Sequence, residues 1–184
     1  MTAAALVQRK PPTMELGVEA MYAWLARHPH VSKDAVVLDT GSGLSYKTQI
    51  NSRELVSIVR SAGGFIPNDG NRQTADAWLR SLAVAGTDGT LRHRFRGTNA
   101  MGRILGKTGT LSTVIALSGV LDIDPVRPLA FALVTNSETP LSQPFVRKAH
   151  EQVIGEICKY LAKTAARTPT PARRIMARST GRVT

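Results

Sequence analysis

The sequence has 184 residues, 42% of them hydrophobic, with a formal net charge of +11 and a single cysteine. That length suits one ordinary domain with a core. One cysteine excludes an intramolecular disulfide, and no stretch approaches the length of a membrane span. The charge is uneven: no acidic residue follows Glu156, whereas Lys159, Lys163, Arg167, Arg173, Arg174, Arg178 and Arg182 all do. More than half of the excess therefore sits at one end, and it defines no binding face. With no aromatic-interleaved basic patch, no specific nucleic-acid partner is expected.

Residues 1–13 read as an irregular lead-in. Their short Ala-Leu-Val run precedes Arg9 and Lys10 instead of following a basic segment, so no secretory signal is visible. Taken at face value, such a start implies a cytoplasmic chain. From Glu15 to Arg27 the spacing of Leu16, Ala20, Met21, Trp24 and Leu25 predicts an amphipathic helix capped by Thr13 and ended by Pro29. Ala35–Leu38 reads as a brief strand. Asp39-Thr40-Gly41-Ser42-Gly43-Leu44-Ser45 then forms a polar turn, rich in hydroxyls, of a kind that lets backbone approach a ligand. A second helix is expected over Arg53–Ala62, capped by Ser52 and stopped by Gly63-Gly64. After a loop at 66–73, Ala75–Val84 reads as a third helix. Thr87–Gly102 reads as mostly irregular, with a short helix and a solvated basic run of Arg92, His93, Arg94 and Arg96.

The pattern then changes period. Arg103–Thr108, Thr113–Asp122 and Leu129–Thr135 read as strands, with a turn at 125–128 and a stop at Asn136-Ser137. Short connections make them an antiparallel meander of about three strands. Phe145–Lys163 is a long C-terminal helix with Phe145, Val146, Ala149, Val153, Ile154, Ile157, Tyr160 and Leu161 on its apolar side, and Cys158 in its core-facing pattern. The expected fold is α+β, with residues 14–163 forming the domain. Strands this continuously apolar call for cover on both faces, which points to missing partners. Residues 164–184, rich in Thr, Pro, Ala and Arg, read as a disordered basic tail. His28, His30, His93 and His150 are scattered and Cys158 has no neighbouring ligand, so neither a metal nor another cofactor is expected.

Chemistry concentrates in Lys107-Thr108-Gly109-Thr110-Leu111. Lys107 supplies a positive charge suited to a carboxylate, Thr108 and Thr110 supply hydroxyls, and Gly109 leaves room for a ligand backbone. Alone, the triplet also fits a strand-edge lysine beside a glycine bulge. Its context is more specific: Asp39–Ser45 precedes it, then Ala85-Gly86-Thr87-Asp88-Gly89-Thr90-Leu91, and Leu117-Ser118-Gly119-Val120 follows. This order and spacing resemble the C-terminal portion of the D-alanyl-D-alanine carboxypeptidase/endopeptidase family, the class C low-molecular-mass penicillin-binding proteins, over residues 14 to 162.

The resemblance implies part of a penicillin-binding transpeptidase-like, serine β-lactamase-like fold. It also implies an extracytoplasmic enzyme that acts on peptidoglycan peptides ending in D-Ala-D-Ala through an acyl-enzyme. By position, Ser45 matches the second-motif serine, a candidate proton shuttle, and Lys107 the third-motif lysine. Thr108, Gly109 and Thr110 would contact the substrate, and Thr48 would replace hydrogen bonds of the asparagine that the family carries after the serine. Two departures matter. No Ser-Xaa-Xaa-Lys exists anywhere in the sequence, so the nucleophile is absent, and Ser45-Tyr46-Lys47 has the wrong spacing to replace it. The family asparagine is also missing, Asn51 being the nearest. The chain therefore reads as a fragment, inactive alone, that works with a missing N-terminal part of the enzyme. The alternative is a non-catalytic remnant that binds peptidoglycan peptides or a protein.

Overall fold

The computed structural model describes residues 11, 13–28, 30–67, 71–122 and 128–165. The expected lead-in at 1–10, the helix stop at Pro29, most of the turn at 125–128 and nearly all of the expected tail, 166–184, lie outside the described residues. Helix α1 spans Met14–Ala26, and Thr13 caps it by accepting from the Leu16 N–H at 3.2 Å. Strands β1 (Val36–Val37) and β2 (Gln49–Ile50) pair antiparallel and close the base of the Asp39–Thr48 loop. Helix α2 is Ser52–Ala62. Its cap is Asn51 instead of the expected Ser52: the Asn51 carboxamide accepts from the Glu54 N–H at 2.9 Å, which leaves Ser52 inside the helix. The end of α2 does follow the Gly-Gly signal. Gly64 adopts φ +68°, and the N–H groups of Gly64 and Phe65 donate back to Ser61 O and Arg60 O at 3.0 and 2.9 Å.

The third helix begins and ends three residues earlier than expected. Helix α3 covers Arg72–Ser81, and the chain turns extended at Leu82 (ψ 146°). Ala83–Val84 is strand β3, paired with Gly106 and Leu105. Asp88 accepts the Val84 N–H at 2.6 Å and so fixes the end of that strand. Ladder pairing thus overrides the helical spacing of the Ala75–Val84 stretch. A 3-10 turn at Gly89–Leu91 supplies the short helix expected after it.

Strands β4 (Ile104–Thr110), β5 (Val114–Leu121) and β6 (Leu129–Asn136) form the expected meander, and β3 extends it to four strands in the order β3-β4-β5-β6. The Lys107 triplet lies within β4 and does not follow it. Its register with β5 runs unbroken from Ile104–Leu121 to Thr110–Ile115, so there is no glycine bulge. Helix α4 is Gln143–Ala165.

The two faces of the sheet carry different cores. Ile104, Leu117, Leu121 and Phe131 pack with Ile154 and Cys158 of α4. Leu105 and Val120 pack with Val59 of α2 and Leu79 of α3 on the other face. On α4 the buried row is Val146, His150, Ile154 and Cys158, with Ile157 and Leu161 half-buried against the core. Phe145, Val153 and Tyr160, expected on the apolar side, are exposed. A row repeating every four residues is narrower than the wide stripe read from composition.

Candidate functional site

The strand period divides the motif between faces. Lys107 and Gly109 share the face of Leu105, towards α2 and α3. Thr108 and Thr110 share the face of Ile104, towards α4. β3 pairs with β4 only at Leu105 and Gly106, so among the described residues the stretch Lys107–Thr110 has an unpaired edge on that side. This open half-strand presents backbone N–H and C=O groups beside the side chains of Lys107, Thr108 and Thr110.

Each of these side chains has a defined partner. The Lys107 ammonium donates to Thr108 O at 2.7 Å. The Thr108 hydroxyl donates to Thr90 Oγ1 at 3.0 Å. Thr110 Oγ1 accepts from the Arg147 guanidinium at 3.3 Å. The two threonines are therefore polarised in opposite senses: Thr108 has spent its proton, whereas Thr110 keeps its proton to donate. Gly109 has negative or extended backbone geometry, and a Cβ there would meet only the Ala116 Cβ at 3.4 Å. The fold itself makes no demand for glycine at this position.

The serine loop is built from hydroxyls. The Ser45 hydroxyl donates to the Asp39 carboxylate at 2.5 Å and accepts from the Lys47 N–H at 3.1 Å. Such a short contact to a carboxylate is charge-assisted. Thr48 Oγ1 accepts from the Asp39 N–H at 3.2 Å, closing the loop at its base. Thr40 and Ser42 are joined at 2.8 Å, and Ser42 Oγ also accepts from the Leu44 N–H.

Tyr46 carries this loop to the sheet. Its hydroxyl lies 2.8 Å from Ser112 Oγ and accepts from the Ser112 N–H at 3.2 Å, in the turn between β4 and β5. The Ser112 hydroxyl draws the Tyr46 phenol below its ordinary pKa. The structure thus brings the Ser45 loop to the Thr110 end of β4. It does not join Ser45 to Lys107, since the two side chains make no hydrogen bond to one another.

Beneath Thr110 is a second set of contacts that the sequence reading missed. Arg94, expected to be solvated, bridges Glu151 at 2.7 Å and donates to Arg147 O at 3.3 Å. Its side chain is only 11% exposed. It is held because α4 presents Glu151 and Arg147 four residues apart, on the flank that faces the 92–96 segment. Asp39, Thr90 and Arg147 touch Ser45, Thr108 and Thr110, Tyr46 reaches Ser112 in the adjoining turn, and none of these four is among the candidate site residues read from the sequence. The one available signal was that Asp39 and Thr90 belong to the stretches matched to the family.

An antiparallel sheet flanked by helices, with a lysine-threonine-glycine strand unpaired along the triplet on one side and a serine loop near its end, fits the penicillin-binding, serine β-lactamase-like class of fold. Penicillin binding protein 4 (dacB) from Haemophilus influenzae is similar at a TM-score of 0.67 and 20% identity, over 85% of this chain and 35% of that one. A β-lactamase from Sphaerobacter thermophilus DSM 20745 is similar at 0.55 and 19%, over 84% of this chain and 56% of that one. The sequence profile of the D-Ala-D-Ala carboxypeptidase 3 (S13) family matches residues 1–157, and the chain belongs to that family. The D-alanyl-D-alanine carboxypeptidase of Actinomadura sp. (strain R39) is 34% identical over 157 residues, which make up 83% of this chain. The chain spans only 27% of that relative's length.

Proposed function

We propose that this chain supplies two walls of a serine-type D-Ala-D-Ala carboxypeptidase/endopeptidase site for peptidoglycan stem peptides. The reacting serine comes from a polypeptide outside this sequence. The observation that carries the reading is the open edge of β4 from Lys107 to Thr110, with the Ser45 loop tied to its end through Tyr46 and Ser112. An extended peptide would pair with this edge, where Gly109 allows close approach. Lys107 and the Thr110 hydroxyl would hold its terminal carboxylate. The incoming serine would attack the carbonyl of the penultimate D-Ala, forming an ester and breaking the C–N bond, and the serine's proton would pass to the leaving amine. Ser45 would relay that proton after its hydroxyl turns from Asp39. Water then hydrolyses the ester. Thr48 serves here by closing the loop. Peptidoglycan lies outside the cytoplasmic membrane, so the assembled site would work there.

Because the sequence contains no Ser-Xaa-Xaa-Lys, the isolated chain binds peptides without cleaving them. The test has two arms. Fluorescent penicillin should leave the purified chain unlabelled after denaturation, and a covalent label would show that a nucleophile is present. Amide shifts of β4 should respond reversibly to millimolar N-acetyl-D-Ala-D-Ala in the chain and not in Lys107→Ala. An unresponsive β4 would refute the site.

A further inference from the structure

Arg147 and Glu151 stand one turn apart on α4, the spacing at which opposite charges on a helix attract. Among the described residues Glu151 nonetheless pairs with Arg94, at 2.7 Å. The Arg147 guanidinium reaches the other way, to Thr110 Oγ1 at 3.3 Å. Arg94 therefore occupies the carboxylate that would otherwise draw Arg147 back along its own helix.

The backbone beside Arg94 is strained. Phe95 is the only residue other than glycine with a positive φ among the described residues, at 63°, a region that bulky side chains rarely enter. Its ring is buried in the core with Ile104 and Ile154. With this anchor in place the Arg94 guanidinium lies 5.5 Å from the ring, bridges Glu151 and donates to Arg147 O. Arg96, just past the turn, folds back on Arg92 O and stays exposed, as do Arg92 and His93. Of the basic run, Arg94 is the member delivered to α4.

We propose that Arg94 is a positioning residue for the peptide site: by engaging Glu151 it leaves the Arg147 guanidinium on Thr110. Arg147 then keeps the Thr110 hydroxyl turned to donate, with a positive charge behind it, to the carboxylate of a bound peptide. Without Arg94, Glu151 takes Arg147, and Thr110 loses both its fixed polarity and that charge. The proposal rests on the functional reading above, but the two fail separately.

The test follows the β4 amide shifts of the full chain on titration with N-acetyl-D-Ala-D-Ala and with its C-terminal amide. Arg94→Met should weaken binding of the acid by about tenfold, the scale of one charge-assisted hydrogen bond, and of the amide by less than about twofold. Arg147→Met should show the same selective loss. Adding Glu151→Gln to Arg94→Met should bring the acid back to within about twofold of the parent, because nothing then competes for Arg147. A pair that merely held the fold would make this double variant bind worst. Undiminished acid binding in Arg94→Met, equal loss of acid and amide, or no recovery in the double variant would each overturn the proposal. Should Arg94→Met fail to fold, the double variant decides, since it leaves no carboxylate unpaired: a loss equal to that of Arg147→Met overturns the proposal. The Arg147 Nε–H resonance reports the positioning without peptide. It should move in Arg94→Met and return in the double variant, and a resonance that stays in place also overturns the proposal. A resonance that moves as expected, with a parent β4 that ignores the peptide, sinks the functional reading and leaves Arg94 in control of Arg147. Peptide binding by the parent with an unmoved resonance does the reverse.

Discussion

The glycines of the β4–β5 pair separate what the fold needs from what a ligand needs. Gly119 faces Gly106 across the ladder. A Cβ on Gly119 would stand 2.1 Å from Leu105 O, 2.7 Å from the Gly106 Cα and 3.0 Å from Leu105 C. All three are backbone atoms, so no side chain can swing aside and the two strands must part. Overpacking a core costs about 1–3 kcal/mol, and a clash with backbone alone belongs at or above the top of that range. Gly119→Ala should therefore cost about 3 kcal/mol or more. A Cβ on Gly106 meets Ser118 O at 3.2 Å and Leu91 Cδ1 at 3.3 Å, one of which can yield, so Gly106→Ala should cost about 1 kcal/mol. Gly109→Ala adds only a 3.4 Å contact with Ala116 and should be neutral, or stabilising by up to about 0.5 kcal/mol through the reduced entropy of the unfolded chain. Urea unfolding of the three variants gives the series directly from the midpoints at constant slope. Gly119→Ala within about 0.5 kcal/mol of the parent would refute the argument, as that is the range of an ordinary surface change. The functional half runs the other way. Gly109→Ala should blunt the response of β4 to N-acetyl-D-Ala-D-Ala while stability holds.

Three further expectations concern the contacts around this strand. Ser112→Ala should return the Tyr46 phenol towards its ordinary titration, read by ultraviolet absorbance, because the Ser112 hydroxyl is the main group favouring the phenolate; an unchanged titration would count against the Tyr46–Ser112 contact. Burial, and then the Arg94 charge, holds the His150 imidazole below its ordinary pKa. The folded state thus disfavours the proton: this contribution is fully present above the unfolded-state value of about 6.5 and is lost as pH falls through the lower folded value. His150→Gln should flatten the acid limb of a stability–pH profile, and an identical limb in the variant would remove His150 from the account. Arg94→Ala should cost about 2 kcal/mol, because Glu151 is left half-buried without its partner, and a double-mutant cycle with Glu151→Ala should show coupling near 1 kcal/mol. Additive effects would mean that the pair contributes little.

The local layers of this protein are legible in its sequence. Thr13 as a cap, Gly63-Gly64 as a stop, the meander of β-branched strands and the long final helix all follow from propensities and periods that act within a few residues. The family is legible for a similar reason, since its motifs are short contiguous strings in a fixed order. Legibility ends where a contact joins distant residues. Ala83–Val84 looks helical until Leu105 and Gly106 offer it a ladder. Tyr46 meets Ser112 across 66 residues, and Arg147 meets Thr110 across 37, which nothing in the local pattern announces. The basic run looked solvated because an arginine beside other cations usually is. Glu151 of α4, brought in by the packing of the last helix, makes Arg94 an exception. Sequence alone thus determined the family and the order in which its short motifs follow one another. Tertiary structure decided that the serine loop reaches the β4–β5 turn through Tyr46, that the motif is split between two faces, and that β6 pairs on one side only among the described residues. Hydrogen-bond geometry and burial exist only once the strands and helices have been assembled.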